Sequence, residues 1–384
     1  MEICGAYNHG GPDADGVPLH DFSTNANAAG PCPAVLHRLQ QLVPDTYPDP
    51  AYASLRTHLA RWHDVTSALI VIGASASELI MRLTAAVLPD LASVWVPRHA
   101  YGDYHRAADA WGRTAEVWEG EDRRHVSPAF VAGLPSLVPG PRARLVWITW
   151  PASPQGDMPP ALTGLAGALT PKDVVVLDMA YAPLRLDGDT RSGAPDGADA
   201  LPEVLAARAC RLFSPNKALG LTGVRGAYLV LPEALALTDL PARLVRLEVR
   251  GLPDLAVRLA RLAPSWPLGA HGQAMLEAWM EPGVQQWLAE SRKTLQGWKA
   301  TLEAGLLQRG WQLMPSVASF CCARPPVPLP ELPGWLAGLR TQGIKLRDAG
   351  SFGLPGWVRL GVRTPASQQA LWQALDSTTN PRTS

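Results

Sequence analysis

The segment richest in chemistry is Ser214-Pro-Asn-Lys217-Ala-Leu-Gly220-Leu-Thr-Gly223-Val-Arg225-Gly226-Ala-Tyr228. A lysine amine is a nucleophile that condenses with an aldehyde to an imine. A guanidinium is a planar fork that grips a phosphate with two hydrogen bonds. A lone lysine in a glycine-rich loop is most often a solvated loop residue. This one stands three residues after a serine and eight before an arginine. Upstream, Gly73-Ala-Ser75-Ala76-Ser77-Glu78 carries the S-x-x-E spacing of a capping box. The helix it opens presents free N–H groups that suit a phosphate, although a capping box would serve helix stability anyway. Asp178-Met-Ala-Tyr181 ends an apolar run, and a strand-end aspartate commonly caps the next turn. Near the C-terminus, Trp357-Val-Arg359-Leu-Gly-Val-Arg363 offers a fork for a carboxylate; the plain alternative is a surface strand arginine, and Arg363 is read as one.

These residues need elements to hold them. Ala68–Gly73, Ser93–Pro97, Ala115–Trp118, Leu145–Thr149, Val174–Asp178, Cys210–Ser214 and Gly226–Leu231 read as short strands. Several are apolar throughout, as strands covered on both faces are. Between the first two, Leu79, Ile80, Leu83 and Val87 mark a helix over Ser77–Leu88. Strand and helix in alternation predict an open α/β sheet with its ligands at the carboxyl ends of the strands. After about residue 250 the order changes. Val284, Trp287, Leu288, Leu295, Trp298, Leu302 and Leu306 stripe a long helix that stops at Gly310. A strand at Val317–Ala323, a helix ending near Gly343, strands at Ile344–Arg347 and Trp357–Val362, and a helix at Ser367–Leu375 follow. The division expected is an N-terminal arm over 1–40, a large domain over 41–250 and a smaller α+β domain over 251–384. The arm reads as irregular, and Asp376–Ser384 as a frayed tail.

Composition removes other classes. Lysine plus arginine and aspartate plus glutamate each number 34 in 384 residues, so no charge excess invites nucleic acid or an anionic membrane. No apolar run reaches the length of a membrane helix, and residues 1–10 show no signal-peptide pattern. Five cysteines, none in a C-x-x-C pair, are poor material for disulfides or zinc. His58 and His63 are five apart, off the spacing of a shared helical face, and no metal site is expected. A cytoplasmic protein is expected.

Taken in order, the motifs resemble those of fold-type I pyridoxal-phosphate (PLP) enzymes, the aspartate aminotransferase superfamily. The resemblance implies that Lys217 forms the internal aldimine, that Ser214 and Arg225 hold the cofactor phosphate, and that Asp178 pairs with the pyridine nitrogen. It implies that Tyr181 bonds the ring hydroxyl, that Ser75, Ala76 and Ser77 form the phosphate turn, and that Tyr101 of Tyr101-Gly-Asp-Tyr104 stacks on the ring. Trp150-Pro-Ala-Ser153-Pro-Gln-Gly156 lies where the family carries N-P-N-N-P-T-G, so Ser153 replaces the asparagine at the ring hydroxyl. Arg359 is implied as the clamp on the substrate α-carboxylate. Asp21-Phe-Ser-Thr-Asn25-Ala-Asn27-Ala-Ala-Gly30-Pro31 and Tyr47-Pro-Asp-Pro50 resemble the branch that holds histidinol-phosphate aminotransferases and cobalamin-pathway threonine-phosphate decarboxylases. The D-F-S opening and the R-D…F-G-L-P ending look more like the latter. This places Asn27 and Gly30 at the substrate and sends Tyr47 to the cofactor phosphate of a neighbouring subunit, hence a homodimer. Arg347 is a candidate second anion site, or else a strand-edge salt bridge to Asp348 or a neighbour.

The implied fold is α/β: a large PLP-binding domain with a mostly parallel seven-stranded sheet and a smaller α+β C-terminal domain. The implied activity is that of an aminotransferase moving an amino group between an amino acid and a 2-oxo acid or phosphorylated keto substrate. A threonine-phosphate-type decarboxylase, or a PLP-binding protein without turnover, stays open at this point.

Overall fold

A computed structural model describes residues 10–88, 91–118, 143–159, 162–170, 172–187, 203–233 and 253–379. Strand β1 (His20–Asp21) is followed by β2 (Ile70–Gly73), β3 (Leu91–Pro97), β4 (Ala115–Trp118), β5 (Ala143–Thr149), β6 (Val174–Asp178), β7 (Cys210–Phe213) and β8 (Ala227–Val230). The last seven form one sheet in the order β2-β8-β7-β6-β5-β3-β4. Every neighbouring pair is parallel except the two that involve β8. The reason lies in the connection. Residues 214–226 between β7 and β8 hold turns and no crossover helix, and only antiparallel neighbours can be joined so directly. Strands β5 and β6 are buried at every position, which explains the apolar runs Leu145–Ile148 and Val174–Leu177 within them. The strands thus fall where the hydrophobic pattern puts them: β4 and β6 match at both ends, and the others have ends shifted by at most two residues.

Helix Ala76–Val87 follows β2. Ser75, extended at its N-cap, accepts the Glu78 amide through its hydroxyl, and Glu78 reaches back to the Ala74 amide at 3.1 Å. The Ser75 cap is as expected, while the glutamate closes on the amide before the cap and not on the cap's own. The helix's free N-terminal amides point to the carboxyl end of the sheet.

The C-terminal part adds β9 (Gln312–Leu313), β10 (Phe320–Arg324), β11 (Ile344–Lys345), β12 (Arg347–Asp348) and β13 (Val358–Gly361). A four-stranded antiparallel sheet runs β12-β13-β10-β9. The expected single strand over Ile344–Arg347 is two strands, because β11 pairs with β1 and β12 with β13. Helix Pro282–Gln308 carries the expected stripe. Val284, Leu288, Leu295, Leu302 and Leu306 are buried, and Gly310, at φ +77°, turns the chain out of the helix.

Two expectations are corrected. The arm is not wholly irregular: helix Pro33–Gln40 opens with proline at its first turn, and β1 joins the C-terminal part through β11. The tail is not frayed from residue 376, since helix Pro365–Thr379 continues there and Arg309 holds the Asp376 carboxylate with two bonds of 2.9 Å.

One buried ion pair links β5 to the turn before β6. Arg144 donates to Asp173 through Nε at 3.0 Å and Nη2 at 2.5 Å, and both side chains are almost fully enclosed. Burial works to raise the Asp173 carboxyl, but the Arg144 and Thr170 bonds outweigh it and hold it below the usual range. Asp173→Ala leaves Arg144 buried and unpaired, a loss of about 3–5 kcal/mol expected in urea unfolding. Because the native carboxyl titrates below the unfolded one, the wild-type contribution is present above about pH 4 and is lost as the pH falls through the native value. Stability profiles of variant and wild type should therefore converge at acid pH.

Candidate active site

A cavity of about 530 Å³ opens at the carboxyl ends of β2, β3, β5, β6 and β7. Lys217 enters from the β7–β8 loop, half-buried, with Nζ 5.2 Å from the centre of the Tyr181 ring. Asn216 holds that loop closed: Ser214 Oγ donates to its side-chain carbonyl at 2.9 Å, and its amide donates to the Val224 carbonyl at 3.3 Å. The arm buttresses the loop from outside. Asn27 N–H donates to the Lys217 carbonyl and Cys32 N–H to the Leu219 carbonyl, both at 2.9 Å. Gly220 sits at φ +69°, where a Cβ would lie 3.1 Å from the Gly30 and Pro31 backbone.

Asp178 ends β6 and faces the cavity, 5% exposed. Its Oδ1 accepts the Ala180 amide at 3.0 Å, and its Oδ2 accepts the Tyr104 hydroxyl at 2.7 Å. Burial raises its carboxyl above the ordinary range, against the pull of Tyr104 and of the Lys217 charge. Ser75, Ala76 and Ser77 line the wall at the start of helix Ala76–Val87, with Arg225 nearby. Tyr101 forms another wall, and burial pushes its hydroxyl well above the ordinary range.

On the opposite side Arg359, 7% exposed, donates to the Ser23 carbonyl at 2.9 Å and to Ser153 Oγ at 3.3 Å. Its Nε is buried and unpartnered. Arg347 stands directly across from it on β12. Arg347 is not in a salt bridge with Asp348. Its Nη1 donates to the Asp348 backbone carbonyl at 2.6 Å and its Nη2 to Ser351 Oγ at 2.7 Å. Burial and the Arg359 charge lower the Arg347 guanidinium to about 10. Two cations facing each other across paired strands repel, so the arrangement suits an anion between them.

The cavity thus gathers Lys217, Asp178, Tyr181, Ser75, Ala76, Ser77, Tyr101, Ser153, Ser214, Arg225, Arg347 and Arg359. Asn27, Gly30 and Tyr47 do not line it. The Asn27 amide is spent on the Ala218 carbonyl and Ser291 Oγ, at 2.9 and 2.8 Å, so it braces the lysine loop. Gly30 serves close packing, since a Cβ there would meet Trp287 at 2.9 Å. Tyr47 lies on the surface, 79% exposed, stacked on Trp266 at 4.7 Å. Arg363 is not a surface strand arginine: it is half-buried and donates to the Thr24 carbonyl at 2.5 Å.

Three residues go beyond the expected set. Asn25 lines the cavity, 2% exposed, with both side-chain polar atoms unpartnered. An amide so enclosed calls for a partner in the cavity, a ligand or an ordered water. It lies in the quoted D-F-S-T-N stretch, whose second asparagine drew attention instead. Tyr104 reaches Asp178 directly and Thr149 through Tyr104; Tyr104 closes the Tyr101-Gly-Asp-Tyr104 motif, where the resemblance gives a role to Tyr101 alone, and Thr149 carries no motif.

The residues fit the cofactor. A lysine amine, a buried carboxylate, a flanking aromatic and a helix N-terminus with an arginine on the same cavity are the parts that an aldehyde, a pyridine nitrogen, a ring face and a phosphate require. Sheet and cavity together define a fold-type I PLP enzyme. The comparisons with known proteins agree: the profile of aminotransferase class I and II matches residues 18–375. The chain belongs to that family. Histidinol-phosphate aminotransferase 2 of Pseudomonas fluorescens (strain Pf0-1) is 25% identical over 369 residues, covering 94% of this chain and 90% of that protein. The fold is shared with the histidinol-phosphate aminotransferase of Sinorhizobium meliloti, solved in complex with pyridoxal-5'-phosphate, at a TM-score of 0.73 and 21% identity, covering 92% of this chain and 90% of that one. It is shared also with L-threonine-O-3-phosphate decarboxylase of Porphyromonas gingivalis, at a TM-score of 0.70 and 18% identity, covering 93% and 98%.

Proposed function

We propose that the chain is a PLP-dependent aminotransferase whose amino acceptor carries a phosphate or a second acidic group. The observation that carries this reading is the meeting of Lys217 and Asp178 with the facing pair Arg347 and Arg359 in one cavity. When bound, the cofactor supplies an aldehyde for Lys217 and a ring that takes up the electron pair left at the substrate α-carbon. The chain's own residues do the rest. Ser75, Ala76, Ser77, Ser214 and Arg225 hold the phosphate. Asp178 keeps a proton on the ring nitrogen, Tyr181 and Ser153 serve the ring hydroxyl, and Tyr101 covers the ring face. Arg359 orients the substrate carboxylate, Asn25 offers an amide beside it, and the Lys217 amine moves the proton at the α-carbon. Arg347 takes the second anion.

The division into an arm over 1–40 and domains over 41–250 and 251–384, a homodimer in which Tyr47 reaches the neighbour's site, and a cytoplasmic location belong to the same proposal. The exposed Tyr47–Trp266 stack supports the dimer. No helix among the described residues is long and apolar enough to cross a membrane.

The test is a spectral titration of the PLP-loaded protein. Glutamate, tried first among donors, is expected to bleach the visible band, and a phosphorylated keto substrate to restore it. Arg347→Ala should raise KM for that substrate by about 10–100-fold, the worth of a charged hydrogen-bond pair, and weaken glutamate, whose γ-carboxylate is also a second anion, while a donor without a second acidic group is unaffected. The Arg347–Arg359 pair would also suit a second reading, a threonine-phosphate-type decarboxylase, which fewer of the relatives support. A band that no donor bleaches, with CO2 released from threonine phosphate, selects it.

A further inference from the structure

We propose that Tyr104 is a positioning residue that keeps the Asp178 carboxylate ionised and aimed, so that the shared proton rests on the cofactor ring nitrogen and not on Asp178. The proposal rests on the PLP reading above. Tyr104 is fully enclosed on helix Gly102–Ala110, and its hydroxyl donates to Asp178 Oδ2 at 2.7 Å. The donated proton is its only one, so the Thr149 hydroxyl 3.2 Å away donates to it in turn. Thr149, Tyr104 and Asp178 form a one-way chain in which each bond strengthens the next. The Tyr104 ring is fixed by stacking on Trp147 at 4.6 Å and 9° and by the edge of Tyr101 at 5.9 Å.

The geometry leaves Asp178 work still to do. Oδ1 accepts one amide and Oδ2 one hydroxyl, and each oxygen keeps a second lone pair that can face the cavity. An enclosed carboxyl tends to become neutral unless hydrogen bonds favour its anion. The charges that act on Asp178 are Lys217, which favours the anion, and buried Asp103, which opposes it. Tyr104 makes the shortest bond to the carboxylate and remains a neutral donor, because burial and the Asp178 charge push its own hydroxyl far up. Without that donor the proton between Asp178 and a pyridine nitrogen shifts toward the carboxylate. The ring then loses the positive charge that stabilises the electron pair.

The test uses holoenzyme prepared with PLP labelled with 15N at the ring nitrogen, with free pyridinium and free pyridine forms as references. Wild type should resonate at the protonated position. Tyr104→Phe keeps the ring on Trp147 and should move the resonance toward neutral pyridine while weakening cofactor binding by about tenfold. Thr149→Val should move it the same way by less, and decides the matter if Tyr104→Phe does not fold. An unchanged resonance in the variants that fold overturns the proposal, since a residue that served packing alone would leave the ring charge as it is. Wild type that fails to bind the labelled cofactor overturns the functional reading and the proposal with it, and shows this before any variant is made.

Discussion

Lys217→Ala should abolish the visible band that PLP gives when joined to the protein and lower turnover by about 10⁴-fold, the upper end for a positioned proton-transfer group. The variant should fold. The loop is held through backbone and by neighbours: the Asn27 amide on the Lys217 carbonyl, the Cys32 amide on the Leu219 carbonyl, and the Asn216 side chain across the turn. None of these uses the Lys217 amine, whose described contact is with the Tyr181 ring. A near-wild-type melting temperature with no band and no turnover is the expected combination. Cofactor could still enter, because Arg225 and the helix N-terminus at Ser75 remain. A variant that keeps the band would move the nucleophile elsewhere and end the account.

The second large effect belongs to Asp178→Asn. The side chain keeps its size and an oxygen for the Ala180 amide, but loses the charge. Its amide nitrogen also meets the Tyr104 hydroxyl, which must then turn from donor to acceptor. Breaking a buried charge pair costs about 3–5 kcal/mol. If that loss falls on the transition state, kcat/KM drops by about 10²–10⁴-fold. Steady-state kinetics with glutamate at fixed acceptor measures it. Asp178→Glu would restore the charge but not the reach, and is expected to recover only part. An Asp178→Asn enzyme within tenfold of wild type would contradict the role assigned to the carboxylate.

Much of this arrangement was legible in the sequence because the relevant features are local. The apolar runs of β5 and β6 admit only buried strands, and the S-x-x-E box at Ser75 marks a helix start whose amides face the strand ends. Lys217, Ser214 and Arg225 lie within one short loop, so a single stretch of chain carries the proposed nucleophile and two proposed phosphate contacts. What was not legible depends on contacts far apart in the chain. Asn25 and Asn27 are the same residue type two positions apart, yet one is spent on Ser291 and the other faces the cavity unpaired. No spacing rule separates them. Tyr104 pairs with Asp178 from 74 positions away, and only the parallel order of β3, β5 and β6 brings them together. The split of Ile344–Arg347 into two strands has the same origin, since β1 at the far end of the chain claims the first half. Arg363 read as a surface residue because the Thr24 carbonyl it holds comes from the arm.

The central claim is that PLP is joined to Lys217. Reduction of the PLP-loaded protein with borohydride, followed by digestion and mass mapping, tests it most directly. The account predicts a single pyridoxyl adduct on the peptide that contains Lys217. An adduct mainly on another lysine, such as surface-near Lys293 or Lys345, or no adduct at saturating cofactor, would contradict it.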